Sequence, residues 1–304
     1  MSDAPVVVLA GGTGGAKLAR GMLDVVGPEE LVVIANTGDD IEIYGAYVSP
    51  DPDLVTFWLA DMIDDRGWGL RGDTFHVMDG LRQLGVEVWF NLGDRDLAIG
   101  LERSRALKQG KTLTQSHAAI SRALGVAAQV LPMSDSPVRT RVLAAGRWWA
   151  FQEFLIRRRG AGPVRGVDLR GAGIAGPTSE VLRAIAGARA VVIGPSNPIV
   201  SIGPILALEG LRSALARSRA AVVAVSPLVR GQVLKGPTAA FMQWAGQPLS
   251  SDGIAALYAG VIDGLVCDQR TDLVPALETD VQLDGPESRL RVAEQTLRFA
   301  IALG

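Results

Sequence analysis

Glycines crowd the end of the first apolar run of the chain, in VVVLAGGTGGAKLARGML (residues 6–23). Glycine is used where a backbone turns sharply or must approach another group closely. At a junction between a strand and a helix, free backbone N–H groups and the positive end of the helix dipole converge, and anions bind there. The stretch therefore predicts a phosphate site. Its candidate substrate-binding residues are Gly12, Thr13, Gly14, Gly15 and Lys17.

This glycine loop matches neither of the two common nucleotide-binding templates. In G-x-G-x-x-G, Gly12 and Gly14 fill the first two glycine positions, but Lys17 stands at the third. A Walker A loop requires a lysine followed by Ser or Thr, whereas Lys17 precedes Leu18. Backbone N–H groups and the lysine charge still suit a phosphate. The alternative is a tight turn that binds no ligand.

Acidic residues follow the second apolar run, in NTGDD (36–40) and SPDPD (49–53). Ligands bind beyond the carboxyl ends of the strands in an open parallel sheet, so we expect Asn36, Asp39 and Asp40 beside the glycine loop. Carboxylates gathered near a phosphate typically hold a hard cation such as Mg²⁺. The alternative is a set of solvated turn acids, since Asp, Pro and Gly are common turn formers.

A third polar cluster, NLGDRDLAIG (91–100), follows another apolar run. Arg95 lies between Asp94 and Asp96 and is a candidate phosphate clamp, held in place by its acidic neighbours. The alternative is that one of the two aspartates caps a helix and that the arginine is incidental.

A fourth polar cluster stands in IGPSNPIVSIGP (193–204), again between an apolar run and a helical stretch. Ser196 and Asn197 carry short polar side chains that suit the base, ribose or phosphate of a nucleotide. Helix capping alone would also explain a Ser or Asn, but the surrounding prolines and glycines favour a shaped binding loop.

The bulk composition excludes several classes of function. Over 304 residues the chain is 48% hydrophobic and 20% charged, with a net charge of −2, which argues against a nucleic-acid partner. The single cysteine, Cys267, leaves no disulfide within the chain and no cysteine-built metal site. His76 and His117 have no partners at metal-ligand spacing and are interpreted as structural. No stretch reaches about 18 uninterrupted apolar residues, so we expect no membrane partner and a cytoplasmic protein.

The elements that position these clusters alternate between strands and helices. The apolar runs are nearly continuous in Val, Ile, Leu and Ala, which is typical of strands covered by helices on both faces. This alternation predicts an α/β fold with a doubly wound, mainly parallel sheet in a single domain, residues 1–304. At about 95–180 the chain is richer in Arg and Trp, and we expect a smaller inserted α+β subdomain there. The predicted strands are VVVLA (6–10), LVVIAN (31–36), VEVWFN (86–91), AVVIGPS (190–196), AAVVAVSP (220–227) and GLVCDQ (264–269).

Taken together, nine motifs resemble the 2-phospho-L-lactate transferase family. In order and spacing the match covers nearly the whole chain, and the combination is highly specific although each motif alone is weak. The motifs are GGTGGAKL (11–18), NTGDD (36–40), SPDPD (49–53), RGWGLRGDTF (66–75), LGDRDLA (92–98), LPMSDSPVRT (131–140), FQEFLIRRRG (151–160), GPSNPIVSIGPI (194–205) and VSPLVRG (225–231).

The resemblance implies an enzyme of coenzyme F-420 biosynthesis. Members of the family transfer a phospho-lactyl or phospho-enolpyruvyl group from a guanosine diphosphate-activated donor to the ribityl hydroxyl of the deazaflavin Fo, and they release GMP. The resemblance also implies a Mg²⁺-dependent homodimer built on a Rossmann-like core.

Carried over to this chain, the resemblance places the phosphates of the guanosine substrate at the glycine loop and its nucleotide at Ser196 and Asn197. Asp40 and Asp53 would contact the metal or Fo, and either could accept a proton as a catalytic residue. Arg95 would contact the substrate and share the charge of the leaving phosphate. One departure is visible: Pro52 stands where many members have leucine, which leaves both acids of SPDPD in place.

Two other functions compete with this interpretation. A related family of nucleotide-sugar-binding regulators also opens with a strand and a glycine loop, but it lacks the combination of LGDRD, FQEF and GPSNPIVSIGP. An NAD-linked oxidoreductase is disfavoured because G-x-G-x-x-G is incomplete and no partner for hydride transfer is evident.

Overall fold

A fully parallel seven-stranded sheet forms the centre of the protein, as seen in a computed structural model that describes residues 4–304. The first three residues of the predicted 1–304 domain lie outside the described part. The strands are β1 (Val6–Ala10), β2 (Leu31–Ala35), β3 (Ile41–Ile43), β4 (Ala46–Val48), β5 (Gln129–Pro132), β6 (Arg139–Ala144), β7 (Arg147–Ala150), β8 (Val164–Arg170), β9 (Ala190–Ile193), β10 (Val222–Val225), β11 (Leu228–Val229), β12 (Gln232–Val233), β13 (Gly264–Cys267) and β14 (Ala276–Glu278).

Helices cover both faces of this sheet, and further helices pack outside it, against one another or against the smaller sheets. They are α1 (Gly12–Val26), α2 (Pro50–Leu59), α3 (His76–Gln83), α4 (Asp94–Lys108), α5 (Leu113–Ala123), α6 (Phe151–Arg157), α7 (Ser179–Gly187), α8 (Gly203–Leu206), α9 (Leu211–Arg217), α10 (Thr238–Trp244), α11 (Ser251–Leu257) and α12 (Pro286–Leu303). None of these helices, within the described residues, is long and apolar enough to cross a membrane.

The strand order is β14-β13-β10-β9-β1-β2-β5, and every neighbouring pair is parallel. From β1 the chain winds outward through β2 to β5, then returns to β9 on the other side of β1 and winds outward again to β14. The prediction of a doubly wound parallel α/β sheet is therefore confirmed. In such a sheet the direction of winding reverses between β1 and β9, and ligands bind at that switch point.

The continuous apolar strands are explained by two cores, one on each face of the sheet. In β1, Val7 and Leu9 pack into one core, whereas Val6, Val8 and Ala10 pack into the other. Alternate residues of a strand point to opposite faces, so a strand between two helical layers must be apolar at every position.

One predicted strand, VEVWFN (86–91), is wrong: these residues form no strand, and β5 occupies the sheet position beside β2. The hydroxyl of Tyr44 accepts hydrogen bonds from the backbone N–H of Trp89 (3.1 Å) and of Phe90 (3.2 Å). These two N–H groups therefore do not donate to a neighbouring strand. Trp89 and Phe90 of this segment line a cavity, whereas Val88 and Phe90 also pack against a small core outside the main sheet. Val86 is 40% exposed.

Residues 95–180 contribute strands to two different sheets. It supplies β5 to the main sheet and β6, β7 and β8 to a separate antiparallel sheet in the order β7-β6-β8. A small core of its own, with Phe151 and Phe154 of α6 against Phe241 of α10, packs beside this second sheet.

Candidate active site

A cavity of about 800 Å³ opens at the carboxyl ends of β1, β2, β9 and β10. Its wall includes residues from the loop after each of these strands, among them Gly12, Asp39, Ser196 and Ser226. The cavity therefore lies at the switch point of the sheet, where the topology of a doubly wound fold predicts a ligand.

The glycine loop is packed so closely that side chains are excluded from it. A Cβ on Gly14 would lie 1.9 Å from the carbonyl oxygen of Pro195, and Gly12 has a positive φ of 63°. Gly12, Thr13 and Gly14 line the cavity, whereas Gly15 packs behind them, where a Cβ would lie 2.8 Å from the Ser196 Oγ. The glycines thus bring the N-terminus of α1 against the loop that follows β9.

Lys17 is a cation on the cavity wall, one turn into α1. Its Nζ lies 3.3 Å from the Oδ1 of Asp284, whose side chain is 60% exposed. An ion pair this exposed is weak, so a phosphate group can compete for the lysine.

Asp51, an acid at the start of α2, already occupies part of the N-terminus of α1. Its Oδ1 accepts a hydrogen bond from the Gly12 N–H (2.7 Å), and its Oδ2 accepts one from the Asn36 amide (2.8 Å). Burial raises the pKa of Asp51 to about 6. Asn36, predicted as a substrate contact, is thus bonded to Asp51 and to the Gly38 N–H, and it is not part of the cavity wall.

The two adjacent acids of NTGDD face different surroundings. Asp39 lines the cavity, and its buried Oδ1 has no hydrogen-bond partner within residues 4–304. Burial, reinforced by the charge of Asp51, raises the pKa of Asp39 well above its ordinary value. Asp40 lies behind the wall and accepts hydrogen bonds from the hydroxyls of Tyr47 (2.9 Å) and Ser49 (2.8 Å). Burial raises the pKa of Asp40 to about 7.

Asp53 lines the cavity but is held by a buried arginine from another helix. The guanidinium of Arg103 on α4 is fully buried and donates to both carboxylate oxygens of Asp53, with Nη1 3.1 Å from Oδ2. Nη1 also donates to the carbonyl of Tyr47 at 3.0 Å. Burial raises the pKa of Asp53, and the charge of Arg103 opposes that shift.

His117 completes the buried network behind Asp53. Its Nδ1 is 3.9 Å from the Asp53 Oδ1, and its Nε2 is 3.1 Å from the Thr56 hydroxyl. Burial and then the charge of Arg103 lower the pKa of His117 to about 3, so the ring is neutral. It acts here as a polar packing residue.

The charged side chains of the GDRD segment lie in three different environments. Arg95 is exposed, lies outside the cavity wall and places Nη1 3.4 Å from the carbonyl of Arg71. Asp96, which sequence reasoning left as a possible helix cap, lines the cavity instead. Asp94 caps α3, since its carboxylate accepts from the N–H groups of His76 and Val77 at 3.0 Å each.

The start of α4 is capped in return by an acid that precedes α3. Asp73 accepts hydrogen bonds from the backbone N–H of Arg95 (2.9 Å) and of Asp96 (3.2 Å). Helices α3 and α4 therefore cap each other, and this exchange fixes the first turn of α4 against the cavity.

Ser196 and Asn197 lie together in the cavity wall, as predicted for a ligand-binding loop. The Asn197 Oδ1 accepts from the N–H groups of Ile199 (2.9 Å) and Val200 (3.2 Å), so this side chain also shapes its own loop. The buried hydroxyl of Ser196 has no hydrogen-bond partner within residues 4–304 and is available to a ligand.

An aromatic wall that sequence reasoning missed lies in the same cavity. Trp89 and Phe90 stack with their ring centroids 5.6 Å apart, and Trp68 is 50% exposed beneath the guanidinium of Arg66. The full set of aromatic wall residues is Phe57, Trp68, Trp89, Phe90 and Phe151. The pair Trp148 and Trp149 in β7 is not part of the wall.

The described residues contain no group of three or more His, Cys, Asp or Glu side chains arranged to hold a metal ion. Both carboxylates predicted as metal ligands have protein partners: Asp40 accepts from Tyr47 and Ser49, and Asp53 is paired with Arg103. Asp39 is different, because it lines the cavity and its buried Oδ1 has no hydrogen-bond partner among residues 4–304.

This chain is similar to solved structures and, more closely, to the sequences of known proteins. A crystal structure of a UPF0052 family protein from Bacillus halodurans superposes with a TM-score of 0.61 over 96% of this chain and 99% of that one, at 18% sequence identity. At that identity the likeness supports the fold alone.

The sequence comparisons are much closer. The family model described as 2-phospho-L-lactate transferase CofD matches residues 6–296. A 2-phospho-L-lactate transferase of Methanosarcina mazei is 41% identical over 87% of this chain and 87% of its own length. One of Methanocaldococcus jannaschii is 36% identical over 98% and 99%. A phosphoenolpyruvate transferase of Kitasatospora aureofaciens is 38% identical over 95% and 98%. The chain therefore belongs to the 2-phospho-L-lactate transferase CofD family of transferase enzymes.

Proposed function

We propose that this protein transfers a phospho-lactyl or phospho-enolpyruvyl group from a guanosine diphosphate-activated donor to the ribityl hydroxyl of Fo, and that it releases GMP. The observation that carries the proposal is one cavity that joins two kinds of wall. Lys17 offers a cation, Ser196 a hydroxyl and the N-terminus of α1 backbone N–H groups, and the aromatic wall offers apolar surface for a flat ring system. The family membership supports the same reaction class.

The donor end of the site follows from the glycine loop. Phosphate oxygens would accept from the free N–H groups at the start of α1 and from the Lys17 ammonium, which the Asp284 carboxylate holds only weakly. The Ser196 hydroxyl, unpartnered among the described residues, would donate to the nucleotide. Asn197 would contact the nucleotide from the same loop while keeping its shape.

Mg²⁺ is part of the proposal, and Asp39 fits it on the present geometry. A cation would satisfy the buried Asp39 oxygen and relieve its repulsion with Asp51, which raises its pKa. Asp40 and Asp53 would first have to release their present partners. When bound, the ion would neutralise charge on the diphosphate and on the leaving phosphate.

We propose further that the enzyme is a homodimer, which light scattering during size-exclusion chromatography would test.

The experiment is a turnover assay followed by mass spectrometry. Purified protein is given Fo and Mg²⁺ with either the lactyl or the enolpyruvyl guanosine diphosphate donor, and GMP and the Fo adduct are quantified. The expected result is GMP release matched by an adduct of Fo that carries the phospho-acid of the donor supplied. The donor that reacts faster identifies the preferred acid.

Folded protein that binds GDP or GMP but forms no adduct with either donor would refute the proposal. A thermal-shift series with GDP, a UDP-sugar and NAD then separates the competing functions, since a ligand that binds the native state raises the melting temperature. Stabilisation by the UDP-sugar would point to a regulator, and stabilisation by NAD would point to an oxidoreductase.

A further inference from the structure

We propose that Asp96 is the base that takes the proton from the attacking hydroxyl, and that Arg103 keeps Asp53 from that role. The inference rests on the proposed function and adds a catalytic residue to it. In the step, the O–H bond of the hydroxyl breaks and its proton moves to a carboxylate oxygen of Asp96. The freed oxygen electron pair forms the new P–O bond, and the bond to the GMP phosphate breaks with its electron pair on GMP. Asp96 then returns the proton to water.

The first support is the hydrogen bonding of the acids in and around the cavity. The carboxylates of Asp40, Asp51 and Asp53 all accept hydrogen bonds from protein donors. Asp96 lines the cavity, and its carboxylate accepts no hydrogen bond from any residue of the described range 4–304. A base needs a lone pair that no protein donor occupies, and Asp96 at the cavity wall has one, whereas both oxygens of Asp53 accept from Arg103.

The second support is position along the chain. The segment Trp89–Phe90–Asn91–Leu92 supplies part of the aromatic wall and leads directly into α4, which carries Asp96 in its first turn. Trp89, Phe90 and Asp96 therefore line the same cavity, and we place the polar tail of an acceptor stacked on that wall beside Asp96. Asp39, the other acid with a free oxygen, interacts instead with Asp51 at the glycine loop.

The third support is the placement of two charged residues along α4. Asp96 and Arg103 are seven residues apart, which places both on one face of the helix. Arg103 neutralises Asp53, so the negative charge that faces an incoming hydroxyl comes from Asp96. The charged groups acting on Asp96 are Asp53 from α2, Arg103 from α4 and Asp73 from the loop before α3.

Electrostatics supports the same assignment. Burial, with the charges of Asp53 and Asp73, raises the pKa of Asp96 to about 7, and Arg103 opposes this shift. A general base is most effective when its pKa lies near the working pH. Asp96 would then be ionised in a large share of molecules at neutral pH and still be basic enough to take a proton.

The test compares Asp96→Asn with Glu102→Gln, a matched carboxylate-to-amide change on the exposed face of the same helix. Both are assayed in the turnover reaction from pH 5.5 to 9, and circular dichroism and GMP affinity are measured in parallel. For Asp96→Asn we expect kcat to fall about 10²- to 10⁴-fold, the range for loss of general base catalysis. The KM for the donor and the GMP affinity should stay within about threefold of wild type, since the interaction is made only in the transition state.

The pH profile separates a base from a structural residue. Wild-type kcat should fall on the acidic side with an apparent pKa near that of Asp96, and this limb should be absent from the residual activity of Asp96→Asn. Asp96→Glu, which keeps a carboxylate, should recover part of the rate together with the limb. Glu102→Gln should match wild type throughout.

Three results would overturn the inference. The first is an Asp96→Asn enzyme within about threefold of wild-type kcat, and the second is a variant that keeps the acidic limb. The third is a variant whose rate returns to the wild-type value in excess Mg²⁺, because Asp96 would then be a metal ligand. These outcomes differ from failure of the proposed function, in which the wild-type protein itself gives no turnover and both proposals fall.

Discussion

Replacing Arg103 with methionine tests the buried ion pair that holds Asp53 in the cavity wall. The substitution keeps an apolar stem of similar length but removes two hydrogen bonds to Asp53 and one to the carbonyl of Tyr47. Arg103 is fully buried and Asp53 is 4% exposed, so water cannot replace these bonds.

The expected loss is about 3–5 kcal/mol in the free energy of unfolding, the cost of leaving one partner of a buried pair uncompensated. Unfolding entropy of about 2.1 cal/mol/K per residue gives about 0.6 kcal/mol/K for this chain, so a loss of 4 kcal/mol lowers Tm by about 6 °C. The loss should be larger at pH 8 than at pH 5. Without Arg103 the raised pKa of Asp53 rises further, and at pH 5 the carboxyl takes up a proton instead of remaining a buried charge.

The assay is a double-mutant cycle in urea at pH 8, with Arg103→Met, Asp53→Asn and the combined variant. Coupling between the two positions should reduce the loss in the double variant by about 3 kcal/mol relative to the sum of the single losses. Arg105→Met, which removes an exposed ion pair on the same helix, should cost less than about 0.5 kcal/mol. Losses that add to within about 0.5 kcal/mol would refute the reasoning, since Arg103 would then stabilise the protein through its apolar stem alone.

Three further predictions follow from the cavity wall. Gly14→Ala should lower the free energy of unfolding by at least about 2 kcal/mol or prevent folding, because its Cβ meets the Pro195 carbonyl. Gly80→Ala, with open space around it, should instead stabilise α3 by about 0.5–1 kcal/mol. Urea unfolding compares the two variants. Lys17→Met should weaken GDP binding about tenfold in isothermal titration calorimetry, while Lys108→Met on the exposed end of α4 should leave it unchanged. Scanning calorimetry in EDTA should show that Tm falls as pH rises from about 4 to about 7. The reason is that acids with a raised pKa in the folded state bind more protons in the native state than in the unfolded state. A flat or rising Tm would contradict this prediction. Those acids are Asp39, Asp40, Asp51, Asp53 and Asp96, and they outnumber His117, whose lowered pKa acts in the opposite direction.

The sheet could be predicted from the sequence because its strands are buried on both faces. That burial produces runs such as VVVLA and LVVIA that carry no polar residue, and the glycine loop after β1 lines the cavity at the switch point. The strand prediction at 86–91 is wrong because it too relied on an apolar composition alone. An apolar segment beside a cavity and a small separate core has the composition of a buried strand. Only the hydroxyl of Tyr44, more than forty residues earlier in the chain, shows that the N–H groups of Trp89 and Phe90 are already bonded.

The roles within the site were harder to predict, because neighbouring helix residues point in directions about 100° apart. Without the orientation of α4, the letters GDRD do not reveal that Asp96 lines the cavity while Arg95 is exposed. Arg103 carries no motif, and its partner Asp53 is 50 residues away. Such a contact is set by the packing of α4 against β4 and α5, which local patterns do not encode.

The exchange of caps between α3 and α4 makes these two helices one cooperative unit in local unfolding. The cap of α3, Asp94, lies in the first turn of α4, and the cap of α4, Asp73, lies in the loop that leads into α3, so fraying of either N-terminus displaces the cap of the other helix. The amide hydrogens of Val77 and Asp96 should therefore exchange with solvent at a common opening free energy, although 19 positions of sequence separate them. A ligand that orders the first turn of α4 would slow exchange across α3 as well, so occupancy of the cavity could be read from a helix that lies largely at the surface.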